Sequence, residues 1–539
     1  MAEPLQVPWV PIVFGRALTS WAPHLVAAGL ALFILPSCLR WLRTWKTLRS
    51  MPGPSDTIPF RFLLAIYWSR RMYINVDYAT AELFNILVGA CELFKNKTFK
   101  LYNWMMPLVM IQTPEAAETL LNRPGNFTKP LMYTFLIPWL GEENVLTGTG
   151  EKWRLKRKLA TPALHFKTLG NFMDVFNEHG NIMVDKMEEV SDKTEPASIY
   201  RYVQRCTLDI TAELSTGVNP HTQTDEYNVF GKCLSRMNYL ICVRAFRPWL
   251  WPQWIYDRTA EGRLFKSTMN IMEGFSGKIV DDRRKLFGRI NRGTDESDAN
   301  KKSTVRERPL ALLDFMLEKH FYDKLFTVEE IKKDIDSVFF AANDTTSTAL
   351  SWMMYLFGLH PDKQRKAQDE VDKILEDDPD RDFTLEDVKR MKYIDYCVKE
   401  SLRLYPSVPL IGRVLDNDLV IDGHVVPKGV TCMVNIFTLQ RNPKAFHKPE
   451  EFIPERFGTE EYSNRHPYSY IPFSGGPKNC LGQRFAMTKI KILVAKMLHR
   501  YDFEAKTPLD KLRLTCEVIV RAKEGLHLWI KRRSPKTAT

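Results

Sequence analysis

A single thiol, Cys480, sits in the run Phe473-Ser474-Gly475-Gly476-Pro477-Lys478-Asn479-Cys480-Leu481-Gly482, which leads directly into a helical pattern from Gln483 to Arg500. One cysteine in a glycine-rich loop suits a metal held by a single thiolate. A thiolate bound to iron must be shielded from water and must receive backbone hydrogen bonds that spread its charge. Gly476 and Gly482 permit backbone conformations closed to other residues and let main-chain N–H groups approach the sulfur. Phe473 supplies a dry wall, and the positive end of the helix that follows favours thiolate over thiol. The other cysteines, Cys38, Cys91, Cys206, Cys233, Cys242, Cys397, Cys432 and Cys516, show no C-x-x-C pairing and read as buried apolar thiols of a reduced protein.

Three further constellations carry chemistry. Between Thr327 and His360 runs a long apolar helical pattern, opened by the capping box Thr327-Val328-Glu329-Glu330 and closed by Pro361. A helix of that length crosses the core. In its middle stand Ala341-Ala342-Asn343-Asp344-Thr345-Thr346, and a buried carboxylate is costly unless something uses or compensates it. Thr345 alone also suits a plainer role, a bond back to the carbonyl one turn earlier. Glu400-Ser401-Leu402-Arg403 spaces opposite charges one helical turn apart, worth only about 0.5 kcal/mol on a surface, and Pro454-Glu455-Arg456-Phe457 follows it. Trp153 and Arg157 share one face of the basic run Glu151-Lys152-Trp153-Arg154-Leu155-Lys156-Arg157-Lys158, which on its own is a solvated face.

These residues need elements to hold them. Helical patterns cover Gly150–Leu159, Thr168–Ser191 and Glu261–Arg292, with an aromatic-rich stretch from Arg61 to Asn96; strand-like pieces lie at Leu419–Val426 and Val430–Asn435. The fold class expected is mainly α with small β-sheets. A chain of 539 residues with 45% hydrophobic and 26% charged residues is globular for most of its length. Its 76 basic residues exceed 64 acidic ones by 12, which suits anionic lipid or an acidic protein, and no segment resembles a nucleic-acid module.

The apolar run Leu25–Leu39, followed by Arg40, Arg43, Lys46 and Arg49, reads as a membrane anchor with its positive flank in the cytoplasm. A cleaved signal peptide or a monotopic hairpin is the rival reading. The expected division is residues 1–50 as anchor and basic flank, and 51–539 as catalytic domain. Met51-Pro52-Gly53-Pro54 is then a stiff hinge, and 292–308 a polar surface loop. With the body cytoplasmic, the acceptor triplets at Asn96, Asn126 and Asn343 stay unglycosylated.

The cysteine loop matches F-x-x-G-x-[R/K]-x-C-x-G and resembles the haem-binding loop of the cytochrome P-450 superfamily. The remaining motifs fall in that superfamily's order over about Pro52 to Ile530. By this resemblance Cys480 is the axial ligand of haem b, Thr345 hydrogen-bonds the iron-bound oxygen species and Asp344 relays protons. Glu400, Arg403 and Arg456 form a buried network behind the loop, and Trp153, Arg157, Lys478 and Arg413 hold the haem propionates. Phe339, Phe340, Val408, Leu410 and Ile411 are candidate pocket walls. The segments Phe127-Thr128-Lys129-Pro130, Trp139-Leu140-Gly141, Gly150-Glu151-Lys152-Trp153 and Thr161-Pro162-Ala163-Leu164-His165-Phe166 look most like the family-4 branch. Many members of that branch hydroxylate fatty acids near the omega end.

The activity implied is monooxygenation of an apolar substrate, a fatty acid, another lipid-like molecule or a xenobiotic. Electrons come from NADPH through cytochrome P-450 reductase, with cytochrome b5 a further candidate partner, at the endoplasmic reticulum membrane. Lys152, Arg154, Lys156 and Lys158 would offer the reductase a positive face. Two other readings stand beside this one: a haem-thiolate isomerase or dehydratase that works without reductase, and a non-catalytic haem- or lipid-binding membrane protein. Two residues depart from pattern. Ala342 replaces the usual glycine, and Ala341 stands where omega-hydroxylases often carry a glutamate esterified to a haem methyl. Alanine cannot form that ester, so acid–acetone extraction is expected to strip all haem from the protein; haem left on the polypeptide would refute this.

Overall fold

The computed structural model describes residues 35–36, 38–53, 76–95, 97–103, 106–123, 125, 128–163, 169–225, 229–292 and 311–533. Most of the expected anchor, Pro54 of the hinge, Phe127, Leu164 to Phe166 and the expected loop beyond Arg292 lie outside them. Residues 38–48 are helical. Among the described residues no helix is long and apolar enough to cross a membrane.

The elements that frame the site are strands β1 (Phe99–Asn103) and β2 (Met106–Ile111) and helices α1 (Gly150–Ala163), α2 (Tyr200–Thr216), α3 (Phe230–Phe246), α4 (Ala260–Arg292), α5 (Val328–Leu359) and α6 (Lys392–Leu404). They continue with β3 (Leu410–Val414), β4 (Thr431–Asn435), α7 (Gln483–Arg500), β5 (Leu514–Glu517) and β6 (Ile519–Ala522). Helix α5 forms as its sequence predicts. Thr327 accepts from the Glu330 amide, the Glu330 carboxylate accepts from the Thr327 amide in return, and the helix ends at Leu359, two residues before Pro361. Helix α1 runs four residues beyond the expected Leu159, and the Thr168–Ser191 stretch is one α-helix, Met173–Met187, between short 3-10 turns.

Sheet order is β1-β2-β4-β3, with β2 parallel to β4 and the other pairs antiparallel. The Leu419–Val426 stretch is a hairpin that turns at Asp422-Gly423. Helix α5 is buried along most of its length, packed by α2, α4 and α7. Trp352 stacks flat on Tyr405, centroids 3.9 Å apart, and ties its indole N–H to the Val520 carbonyl on β6. The thiols of Cys91, Cys206, Cys233, Cys242, Cys397 and Cys432 are buried as expected, but Cys38 is exposed and Cys516 half-buried. Nor do residues 51–53 form a free hinge: the Lys100 amide donates to the Pro52 carbonyl, and Leu48 and Met51 are buried beside Val109 and Leu120.

The charge pair on α6 is fully buried. Arg403 grips the Glu400 carboxylate with Nε at 2.7 Å and Nη2 at 2.9 Å, and Arg456 adds Nε at 3.0 Å. The Ile453 amide also donates to Glu400, at 2.9 Å. The spare guanidinium donors go to carbonyls of Gln440, Pro449, Glu451, His447 and Lys448. Removing the carboxylate would strand two buried cations, a loss of about 3 to 5 kcal/mol. Glu400→Ala is therefore expected to unfold at markedly lower denaturant than the wild type, with Glu400→Gln intermediate; an unchanged midpoint for Glu400→Ala would contradict this.

Candidate active site

The cysteine loop is folded against the ion network through one side chain. Gln440 donates to the carbonyls of Leu402 and Arg403 and accepts from the Ile471 amide at 2.9 Å. From Ile471 the chain turns into the loop, where the Ser474 amide donates to the Ile471 carbonyl and the Cys480 amide to the Phe473 carbonyl. Gly476 has φ +69°, and a Cβ there would lie 2.0 Å from the Leu121 carbonyl oxygen. Glycine is required there on both counts. Gly482 differs from expectation: its φ of −89° is open to any residue, and a Cβ would meet no atom within 4 Å. Its contribution is its N–H, aimed at the sulfur, and the space it leaves open in the cavity.

Cys480 faces a cavity of about 530 Å³ that Phe473 also lines. Burial pushes its thiol above the usual range, while the Gly482 N–H and the Arg157 charge pull it down. The helix terminus alone does not secure the thiolate, as the sequence suggested; a bound cation would complete it.

Among the described residues six basic ones line the same cavity, and four of them, Lys129, Arg157, Arg413 and Lys478, form one cluster of interacting charges. Arg157 donates to the Asn479 carbonyl at 2.9 Å and to its side-chain oxygen at 2.5 Å, so it braces the residue next to Cys480. The Lys478 amine reaches the Gly148 carbonyl at 2.6 Å and lies 4.5 Å above the Trp153 ring. Burial, then repulsion from Arg413 and Arg157, lowers its pKa to about 7. Lys129 is pushed far below its ordinary value by burial and by Arg413, Lys478 and Arg157. Trp153 is placed differently from expectation. Its indole N–H donates to the Val145 carbonyl at 3.1 Å, and it packs beneath Lys478 and Arg157.

A cluster of like charges, mutually destabilised, beside one thiol and apolar walls is what a group with paired carboxylates and a metal would relieve. The donor set fits haem: Cys480 for the iron, and Arg157, Arg413, Lys478 and Lys129 for the propionates.

The far wall comes from α5, where Ala341, Ala342, Asp344 and Thr345 line the cavity. The Thr345 hydroxyl donates back to the Ala341 carbonyl at 2.7 Å, and its own carbonyl accepts from Ser407 at 2.7 Å. Asp344 is compensated to saturation, with Tyr200 at 2.5 Å, Asn238 at 2.5 Å and Arg521 at 2.8 and 3.0 Å. In this arrangement a proton relay would first have to release one of those donors. Phe340, Val408, Leu410 and Ile411 line the cavity, whereas Phe339, about one third of a helical turn away, packs on Phe230 and Phe275. On α1, Lys156 belongs to no exposed face: it is buried against Asp334 at 2.7 Å, and Lys152 pairs with Glu143 and Glu330. Arg154 and Lys158 are exposed.

Sequence reasoning missed Lys129, Tyr200, Asn238 and Arg521. Lys129 stood in a quoted motif with no role; the other three lie far from Asp344 in sequence, and no local pattern ties them to it.

Comparison with known proteins agrees with this architecture. The family model described as Cytochrome P450 matches residues 76–529. The chain is 33% identical over 524 residues to Cytochrome P450 4c3 of Drosophila melanogaster, covering 96% of each protein. It is 34% identical over 525 residues to Cytochrome P450 4V2 of Mus musculus, covering 96% of this chain and 97% of the relative. The human Cytochrome P450 4V2 is 32% identical over 532 residues, 98% of each. The chain belongs to the cytochrome P450 family. It is a P450 monooxygenase similar to family-4 members, and haem-thiolate is the cofactor its family implies.

The two glycines of the loop separate in a test. Gly476→Ala collides with the Leu121 backbone at a left-handed φ and is expected to cost at least about 1 to 3 kcal/mol. Gly482→Ala should melt like the wild type and take up less haem, because its methyl enters the cavity. Equal melting of both variants, or full haem loading of Gly482→Ala, would disprove the assignment.

Proposed function

We propose that this protein hydroxylates a C–H bond of a long apolar molecule, a fatty acid first among candidates. The observation that carries the reading is that Cys480 and residues of the Ala341–Thr345 segment line one cavity, in which Arg157, Arg413, Lys478 and Lys129 cluster together and Phe340, Val408, Leu410 and Ile411 form apolar wall. Bound haem supplies the activation of dioxygen, and its sulfur ligand favours O–O cleavage. The protein's own residues do the rest. Cys480 donates the sulfur, Arg157, Arg413, Lys478 and Lys129 hold the carboxylates, and Thr345 offers oxygen lone pairs beside the reacting centre.

Electrons arrive from NADPH through the flavoprotein reductase, with cytochrome b5 as a second donor. Exposed Lys158 supplies the positive contact, flanked by Arg154 paired with Glu151 and Lys152 paired with Glu143 and Glu330. The segment before residue 50 ties the body to the endoplasmic reticulum membrane, from which an apolar substrate partitions into the cavity. Ala341 leaves the haem free of a covalent tether, so the position attacked along the chain is set by the cavity walls.

The test is incubation of the reconstituted protein, reductase and NADPH under oxygen-18 with a mixed pool of fatty acids, sterols and xenobiotics. Fatty acids that gain one labelled atom are the expected product by mass spectrometry. Product made from hydroperoxides without NADPH would favour the isomerase reading, and labelled sterols alone would overturn the substrate class.

A further inference from the structure

Lys489 lies on α7, nine residues after Cys480, and is 5% exposed. Its ammonium donates to the Ala342 carbonyl at 3.3 Å and to the Thr211 hydroxyl at 3.4 Å. Lysine, threonine and alanine all line the cavity, together with Thr345. An ammonium has three N–H donors; two are engaged here, and among the described residues no carboxylate pairs with it. A cation buried without a counter-ion is unfavourable, so the group gives up its proton readily. Burial lowers its pKa to about 8, opposed by Cys206. Asp344, by contrast, already accepts from Tyr200, Asn238 and Arg521.

We propose that Lys489 stores a proton beneath the Ala341–Thr345 segment and hands it, through a cavity water, to the oxygen being reduced there. The proposal rests on the haem monooxygenase reading above. An N–H bond of the ammonium breaks, an O–H bond forms on the water, and that water passes its own proton on. The amine then regains a proton from solvent, and no electron passes through it; the reducing electrons come from NADPH by way of the reductase. The serine and threonine hydroxyls of α2 and α5 extend the polar path, with Thr207 bonded to Asn343 at 3.1 Å and to Ser347 at 2.6 Å.

Other titratable groups on the packed elements are accounted for. Cys206 on α2 is pushed far up by burial, and Asp209 accepts from the Thr222 and Gln223 amides. Asp344 on α5 is paired with Arg521, and Cys480 precedes α7. His179 on the Met173–Met187 helix bonds Glu213, and Lys496 on α7 pairs with Asp382.

The experiment compares wild type with Lys489→Met and Lys489→Arg as full-length haem-loaded protein. All three are expected to give the carbon monoxide difference spectrum of an intact thiolate. Product per NADPH falls on the order of tenfold to a hundredfold in both variants, KM stays unchanged, and peroxide release rises. Arginine keeps the charge and the donors but does not release its proton; recovery by Lys489→Arg would mean a structural role and overturn the proposal.

A second measurement needs no turnover. Lysine with a folded pKa near 8, against 10.5 when exposed, penalises the folded state below pH 8, and the penalty fades as pH approaches 10.5. Lys489→Met should therefore melt higher than wild type near pH 7, with the gain shrinking above pH 8. A melting difference independent of pH would overturn the proposal. A wild type that titrates as stated but shows no NADPH-dependent product would sink the monooxygenase reading and leave the titration of Lys489 standing.

Discussion

The backbone that leads into the cysteine loop is braced by one carboxylate in the interior. Glu400 has no exposed surface and gathers two guanidinium groups and a backbone amide. Each guanidinium then reaches carbonyls in the chain between Gln440 and Glu451, a stretch with little regular structure of its own. Loop backbone buried without partners would be untenable. The arginines satisfy it, and Gln440 passes the constraint to Ile471, two residues before the loop that carries Cys480. A charge cluster that would be neutral or worse as a stability device is here a template, fixing irregular backbone that no helix or strand could fix.

The cavity is asymmetric in charge. Arg157, Arg413, Lys478 and Lys129 crowd together although crowding disfavours each, and the cost shows in the lowered pKa values of the two lysines. On the α5 side, Asp344 is paired with Arg521 and Asp334 with Lys156, which leaves Lys489 as the cation there with no carboxylate partner among the described residues. A cofactor that carries carboxylates would have them drawn toward Arg157, Arg413, Lys478 and Lys129.

Much of this was legible in sequence where the signal is local. The capping box and Pro361 fixed both ends of α5, and Gln483–Arg500 emerged with the bounds its pattern implied. Glu400 and Arg403 are one turn apart, so their pairing was visible; that Arg456 joins them was readable only through a known motif. What escaped depends on contacts between distant segments. Arg521 meets Asp344 across 177 residues, and Lys129 meets Arg413 only because the loop before α1 packs against β3. The Trp153 indole was assigned to the cofactor because of its spacing from Arg157, yet its N–H donates a hydrogen bond to a carbonyl eight residues earlier. Spacing along a helix tells which face a side chain shares, not which acceptor is nearest.

The docking of residues 48–53 against β1 bears on how the protein can be handled. Leu48 and Met51 complete an apolar cluster with Val109, Ile111 and Leu120, and the Leu48 carbonyl accepts from the buried Lys100 amine at 2.9 Å. The N-terminal segment is therefore structural as far as Leu48 at least. Shortening the chain to gain solubility has to leave Leu48 to Met51 in place. A cut placed at the prolines themselves would remove the Leu48 carbonyl from Lys100 and expose the hydrophobic seat that Leu48 and Met51 fill.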